Sequence, residues 1–272
     1  MSKYLQTKYL QIIASEEDLK WWWDYCVPPL KPNEIYFVSL SLRKKKLTDE
    51  QKAIIPHNEM FSKTQIRHDD FNRYVQAIRS LEQRIDAHFP VESIDWIHSA
   101  IVCYWNICPI DIYNAMKDQM QHLNEIMMTL TDSALKNSQG GIEQAYYKVR
   151  KSFDTYQSLF ARNFGTKYFV DFDIDGFIDE DIYGKIRDYF YTQFGKGNTV
   201  FVKTAGGMHC LVRRTVYNIN PQQVYSAIHQ IFPEAKEVIK NENQMCPLVG
   251  TWQYRHPVVV LNKDDITEKI HV

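Results

Sequence analysis

Long apolar runs are missing from this chain, and no window approaches the roughly 20 apolar residues that a membrane-spanning helix requires. The opening stretch, MSKYLQTKYLQ, also lacks the apolar segment of a secretory signal. Both absences predict a soluble, cytoplasmic protein with no membrane partner. Cysteine is sparse and irregular: Cys26, Cys103, Cys108, Cys210 and Cys246 make an odd set of 5. Only Cys103 and Cys108 lie close, and no C-x-x-C pair occurs, so a zinc site is not expected and a reducing compartment is. Glycine and proline number 10 each, too few for a flexible linker, which predicts two packed modules instead of beads on a string. Net charge is −1, from 32 basic against 33 acidic residues. No whole-molecule field therefore draws in nucleic acid, and any such contact must come from local patches.

What the chain does have is apolar mass, 44% hydrophobic and 14% aromatic over 272 residues, enough for one large core or two small ones. Residues 1–34 read as a short helix ending in Trp21-Trp22-Trp23 and a Pro-rich turn. Three successive tryptophans cannot share one face, so they either staple the N-terminus across the domain or offer a base-stacking platform. Ile35–Leu42, IYFVSLSL, reads as a buried strand that feeds into Arg43-Lys44-Lys45-Lys46, a solvated loop or a contact for a nucleic-acid backbone. Between Lys63 and Phe89 the apolar residues Ile66, Phe71, Val75, Ile78, Leu81 and Ile85 fall near a 3.6 period, which predicts one long helix. Ser99–Trp105 then reads as a strand. A helix follows from Pro109-Ile110-Asp111, with Ile112, Met116, Met120, Leu123 and Met127 as a stripe expected to pack in the core. Thr131–Phe164 continues as interrupted helix, where Lys148, Arg150 and Lys151 form a solvated face or a DNA contact.

The chemistry concentrates in two stretches. In KYFVDFDIDG, Lys167–Gly176, strand alternation puts Asp171, Asp173 and Asp175 on one face and Phe172 and Ile174 on the other. Three like charges so close repel unless a cation offsets them, and Mg²⁺ or Mn²⁺ is the oxygen-loving candidate. Neutralising Asp171 and Asp173 is accordingly expected to leave the metal-free fold as stable or more so. In VKTAGGMHCLVR, Thr199–Lys203 and Met208–Arg213 form a hairpin around Ala205-Gly206-Gly207. The glycines let backbone N–H groups approach an anion, and Lys203, Thr204 and His209 can donate to a phosphate. Asp175 is either a third member of the comb or the cap of the turn at Gly176. Helices over Asp179–Phe194 and Pro221–Phe232, and strands at Lys236–Ile239 and Pro257–Leu261, complete an α+β sheet with helices on one side.

These residues resemble the archaeo-eukaryotic primase superfamily, the core of primase-polymerases. The resemblance rests on Val170-Asp171-Phe172-Asp173, on Thr204-Ala205-Gly206-Gly207-Met208-His209, and on a third place, KEVIKNENQMCPLVGTWQ, where Val249-Gly250-Thr251 stands for a Pro-Gly-Thr turn. It covers about the last 110 residues and, more loosely, YFVSLSLRKKK. It implies an RNA-recognition-motif-like catalytic module over residues 161–272, packed with an α/β and helical module over 1–160. It also implies a nucleotidyltransferase of DNA replication or repair, in one setting that of a mobile element or phage. Asp171 and Asp173 would then hold Mg²⁺ or Mn²⁺ and act in catalysis with His209. Lys203, Thr204, Gly206, Gly207, His209 and Thr251 would bind a nucleoside triphosphate. Arg43, Lys44, Lys45 and Arg213 would meet template-primer or single-stranded DNA, and a separate helicase is a further partner the family admits. The third acid of the family falls near Asn241, whose amide oxygen would serve as the third metal ligand without negative charge, or Glu242, with Glu237 sharing the parity of Asn241. A non-catalytic nucleic-acid-binding protein on the same fold is therefore a second expectation, and a D-x-D glycosyltransferase a third.

Overall fold

The computed structural model describes residues 10–44, 47–54, 60–66, 70–86, 94–136, 139–144, 147, 165–241 and 245–270. They fall into two compact units: Met1–Pro29 with Tyr36–Ile107 and Lys167–Val272, and Leu30–Ile35 with Cys108–Thr166. Among the described residues the chain is α+β, with two antiparallel sheets. Among the described residues no helix is long and apolar enough to cross a membrane.

In the first unit, α1 (Glu16–Tyr25) starts at Ser15, whose hydroxyl accepts from Asp18 N at 3.1 Å, with three acidic residues in its first turn to meet the helix dipole. Trp22 is fully buried edge-on to Trp105, while Trp23 lies on Tyr74 and Trp21 on Tyr25. The tryptophans thus tie the N-terminal segment into the fold. β1 (Glu34–Leu42) is buried along its whole length. The short α2 (Asp49–Ile54), β2 (Met60–Ile66), α3 (Phe71–Asp86), α4 (Ile94–His98) and β3 (Ile101–Asn106) follow. The single helix expected over Lys63–Phe89 is therefore a strand and a helix. Ile66 lies across from Tyr36 in the β1–β2 ladder, while Tyr74, Ile78 and Leu81 are the buried residues of the helix among the described side chains. The apolar spacing across 66–71 fits a helical period by coincidence, and strand pairing overrides it.

The second unit holds β4 (Ile110–Asp111), paired with Glu34 and Ile35, and α5 (Ile112–Leu135), capped by Asp111 accepting from Asn114 N at 3.0 Å. Glu34, buried, accepts from Lys31 N and from the Thr166 N–H and hydroxyl. The methionine stripe expected to pack inside is exposed at Met116, Met120 and Met127; the buried residues of α5 are Ala115 and Ile126, on a different line of the helix. The basic cluster 148–151 lies outside the described residues.

Back in the first unit come β5 (Phe169–Asp175), α6 (Glu180–Phe194), β6 (Thr199–Lys203), β7 (Gly207–Arg213), α7 (Pro221–Ile231) and β8 (Glu237–Asn241). Then follow β9 (Met245–Pro247), β10 (Trp252–Gln253), β11 (His256–Pro257) and β12 (Val259–Val260). The front sheet has seven strands, ordered β11-β10-β3-β1-β2 with β4 on β1 and β9 on β3; the rear sheet has five, ordered β12-β6-β7-β5-β8. The strand expected over Pro257–Leu261 is split: β11 ends in the front sheet and β12 begins in the rear one, with Val258 buried between them. Helix starts in the rear half are set by local chemistry. Asp179 accepts from Ile182 N, and Asn220 and Gln223 form a capping box with Pro221 at the first turn. One face of the rear sheet packs Val170, Phe172, Ile174, Phe201, Met208 and Cys210 against Ile186, Phe190, Phe194, Val224 and Ile228 of α6 and α7. The other face is left for chemistry.

Candidate functional site

Antiparallel register builds the site. Asp173 lies directly across from His209 and Asp171 across from Leu211, so β5's odd residues and β7's odd residues share the face opposite the helices. Along that face exposure rises toward the strand end: the Asp171 side chain is 1% exposed and that of Asp173 32%. His209, itself buried, stands between them. Its Nδ1 lies 2.9 Å from Asp171 Oδ2 and 3.1 Å from Oδ1. A carboxylate can only accept, so Nδ1 carries the proton and donates. Nε2 is 3.5 Å from Asp173 Oδ1.

Burial disfavours charge on His209, yet the Asp171 carboxylate beside it, together with Cys246, holds the imidazole well above the usual histidine range. A protonated His209 donates toward both carboxylates. Burial raises the Asp173 carboxyl, Asp171, Asp175 and Glu237 push it the same way, and His209 opposes them. The comb is thus crowded with negative charge at its open end and satisfied by the imidazolium at its buried end.

The front sheet contributes residues that sequence reasoning did not assign to the site. Cys246 on β9 lies opposite Trp105, is fully buried and hydrogen-bonds His209; burial pushes its thiol up while His209 pulls against that shift. Tyr104 on β3 lies close enough to feel both His209 and Asp173, and its hydroxyl accepts from Arg43 Nη1 at 2.8 Å. No local signal marks either residue: both belong to strands whose apolar pattern says only that they are buried.

The hairpin turn is tightly tied. Thr204 accepts from Gly207 N through its hydroxyl at 3.2 Å, Ala205 N donates to Gln253 Oε1 at 2.8 Å, and Gly206 O accepts from Gly176 N at 3.0 Å. A Cβ at Gly207 would meet Ile174 O at 2.0 Å, so close approach of β5 and β7 requires glycine there. Gly206 is exposed at the tip. Asp175 closes the comb across from Gly207, and its carbonyl accepts from Lys236 N.

Other expected residues are placed elsewhere. Lys203 pairs with Met208, whose side chain is in the helix-covered core, so Lys203 is exposed at the edge of the face opposite His209. Thr251 is fully buried and donates its hydroxyl to Leu248 O at 2.6 Å. Arg213 shares the parity of His209 but sits four residues along β7, about 13 Å away at strand rise. Lys44 lies in the turn after β1, half-buried, its carbonyl accepting from Leu47 N. Lys45 and Glu242 lie outside the described residues. Asn241 sits across from Asp171 in the β5–β8 ladder and Glu237 across from Asp175.

Fold and site together define an α+β protein with a carboxylate–imidazole centre facing a second sheet. No protein-family model, curated protein or solved structure matches the chain.

Proposed function

We propose that the chain is a primase-polymerase-type nucleotidyltransferase that acts on nucleoside triphosphates and DNA. The observation that carries the reading is His209 of the glycine hairpin held between Asp171 and Asp173 of the central strand. The connectivity supports it. The run β5-α6-β6-β7-α7-β8, with spatial order β6-β7-β5-β8, has the β-α-β-β-α-β order that an RNA-recognition-motif-like core would need.

Asp171 and Asp173 would hold Mg²⁺ or Mn²⁺; two neighbouring carboxylates, of which Asp173 keeps charge to spare, fit a hard cation. When bound, such an ion supplies charge stabilisation for in-line transfer at phosphorus. His209, protonated, would turn its Nε2–H from Asp173 to a phosphate oxygen at the mouth of the comb, and Gly206 would give an anion close access to backbone. Arg43, anchored on Tyr104, which lies near Asp173, would bring its guanidinium to a phosphate of nucleotide or strand. Calorimetry with deoxynucleoside triphosphates, ribonucleoside triphosphates and a nucleotide sugar, each with Mn²⁺, tests the reading. Triphosphate binding that is lost in the Asp171→Asn, Asp173→Asn double variant supports it. Binding of the sugar nucleotide alone, or binding indifferent to the double variant, overturns it.

A second reading, a non-catalytic nucleic-acid-binding relative, is favoured by the burial of Asp171 on His209 and by an amide, Asn241, across from it. Primer extension separates the two. A catalytically weakened enzyme extends slowly and gains from Asn241→Asp in Mg²⁺, whereas a binding protein extends in neither form.

A further inference from the structure

Cysteine spacing along the chain argues against zinc, but spacing along the chain says nothing about ligands that separate strands bring together. Asp171 on β5, His209 on β7 and Cys246 on β9 each offer one ligand atom, all within 4.8 Å of one another, and all three side chains are buried. Zinc bonds of about 2.0–2.3 Å set the ligand atoms of a tetrahedral site ~3.5 Å apart, so the group closes on an ion with shifts of about an ångström. The donor set is oxygen, nitrogen and sulfur. Mg²⁺ and Mn²⁺ favour all-oxygen surroundings, while a thiolate selects zinc. One carboxylate and one thiolate also balance a doubly charged ion, as a site shut off from water requires. Asp173 stands on the open side, beside His209 Nε2.

We propose that Asp171, His209 and Cys246 bind a zinc ion. The proposal rests on the reading of Asp171 and His209 as the functional site and adds a state of it. On zinc binding the Cys246 thiol and the ligating ring nitrogen of His209 each release a proton to solvent, and that nitrogen then serves the metal instead of a phosphate. Zinc and the triphosphate then compete for His209.

The test uses the full chain stripped of metal by a chelator and titrated with Co²⁺ as a spectroscopic stand-in. The expected result is uptake of about one equivalent with a thiolate-to-cobalt charge-transfer band, displaced by Zn²⁺. Cys246→Ser removes the band and weakens Co²⁺ binding ~10-fold or more, since loss even of groups behind a ligand costs that much. X-ray absorption of the zinc-loaded wild type needs no variant and should show a sulfur neighbour at ~2.3 Å. An absorption spectrum with no sulfur, or a charge-transfer band that survives Cys246→Ser, overturns the proposal. Failure of the two readings is distinguishable. A cobalt band without any Mn²⁺-dependent triphosphate binding removes the transferase and leaves the zinc site, and the reverse result removes the zinc site alone.

Discussion

His209 serves two carboxylates at once, and its removal separates them. Replacing it with Ala leaves Asp171, 1% exposed, without the imidazole its carboxylate accepts from. Breaking one side of a buried pair costs about 3 kcal/mol or more, so His209→Ala should show that loss in chemical denaturation. A loss under about 0.5 kcal/mol would mean that the pair contributes nothing to folding. Asp173 behaves in the opposite sense. It is partly exposed and crowded by Asp171, Asp175 and Glu237, so Asp173→Asn should leave stability unchanged or raise it by up to about 1 kcal/mol. The repulsion expected from sequence thus applies to Asp173 and not to Asp171, whose charge has an internal partner.

Elements are held at a few positions where backbone geometry leaves no latitude. In the β5–β7 ladder, Gly207→Ala puts a methyl 2.0 Å from Ile174 O. Backbone cannot yield as a side chain can, so a loss of roughly 2–3 kcal/mol is expected in denaturant melts, together with faster amide exchange along β5 and β7; wild-type stability would show that the hairpin reaches the site by another path. Helix α7 depends on its start: Asn220→Ala removes the side-chain half of the capping box, where the Asn220 amide oxygen accepts from Gln222 N, and should cost about 1 kcal/mol. At the C-terminal end of the chain Asp265 carries a pH dependence. Burial raises its carboxyl, but Lys196 at 2.7 Å and the Tyr191 hydroxyl outweigh burial and hold it below the usual range. A depressed carboxyl gives stability that is present above its unfolded pKa, about 3.9, and lost as pH falls through the folded value. Asp265→Asn should therefore lower stability at neutral pH, by less than about 1 kcal/mol because Lys196 is exposed. The difference from wild type should shrink as pH falls below about 4 and vanish once pH is below the depressed folded value. A difference that persists at pH 2 would show the contact to be steric, not ionic.

For the whole molecule, charge decides how DNA would bind under the proposed function. With a net charge of −1 there is no long-range attraction, and contact would fall to the proposed Arg43, Lys44, Lys45 and Arg213. Three or four phosphate contacts to a single strand give a slope of log affinity against log salt between about −2 and −3. A slope steeper than about −5 would require basic residues beyond these four.

The sequence by itself determined what is local. Alternation places Asp171, Asp173 and Asp175 on one face of β5, the two glycines set the hairpin that carries His209, and Asn220 with Pro221 begins α7. In each case the period or the turn acts within a few residues, so no distant contact can alter it. Tertiary structure decided the rest. Ile66 pairs in a strand because β1 offers an edge, Lys203 is turned away from His209 by one residue of register, and the methionine stripe of α5 lies exposed because burial follows another line of that helix. Cys246 and Tyr104 reach the site only because the front sheet faces the bare side of the rear one. Their roles come from partners 37 residues or more away in the chain, and no period, cap or spacing can encode a contact of that kind.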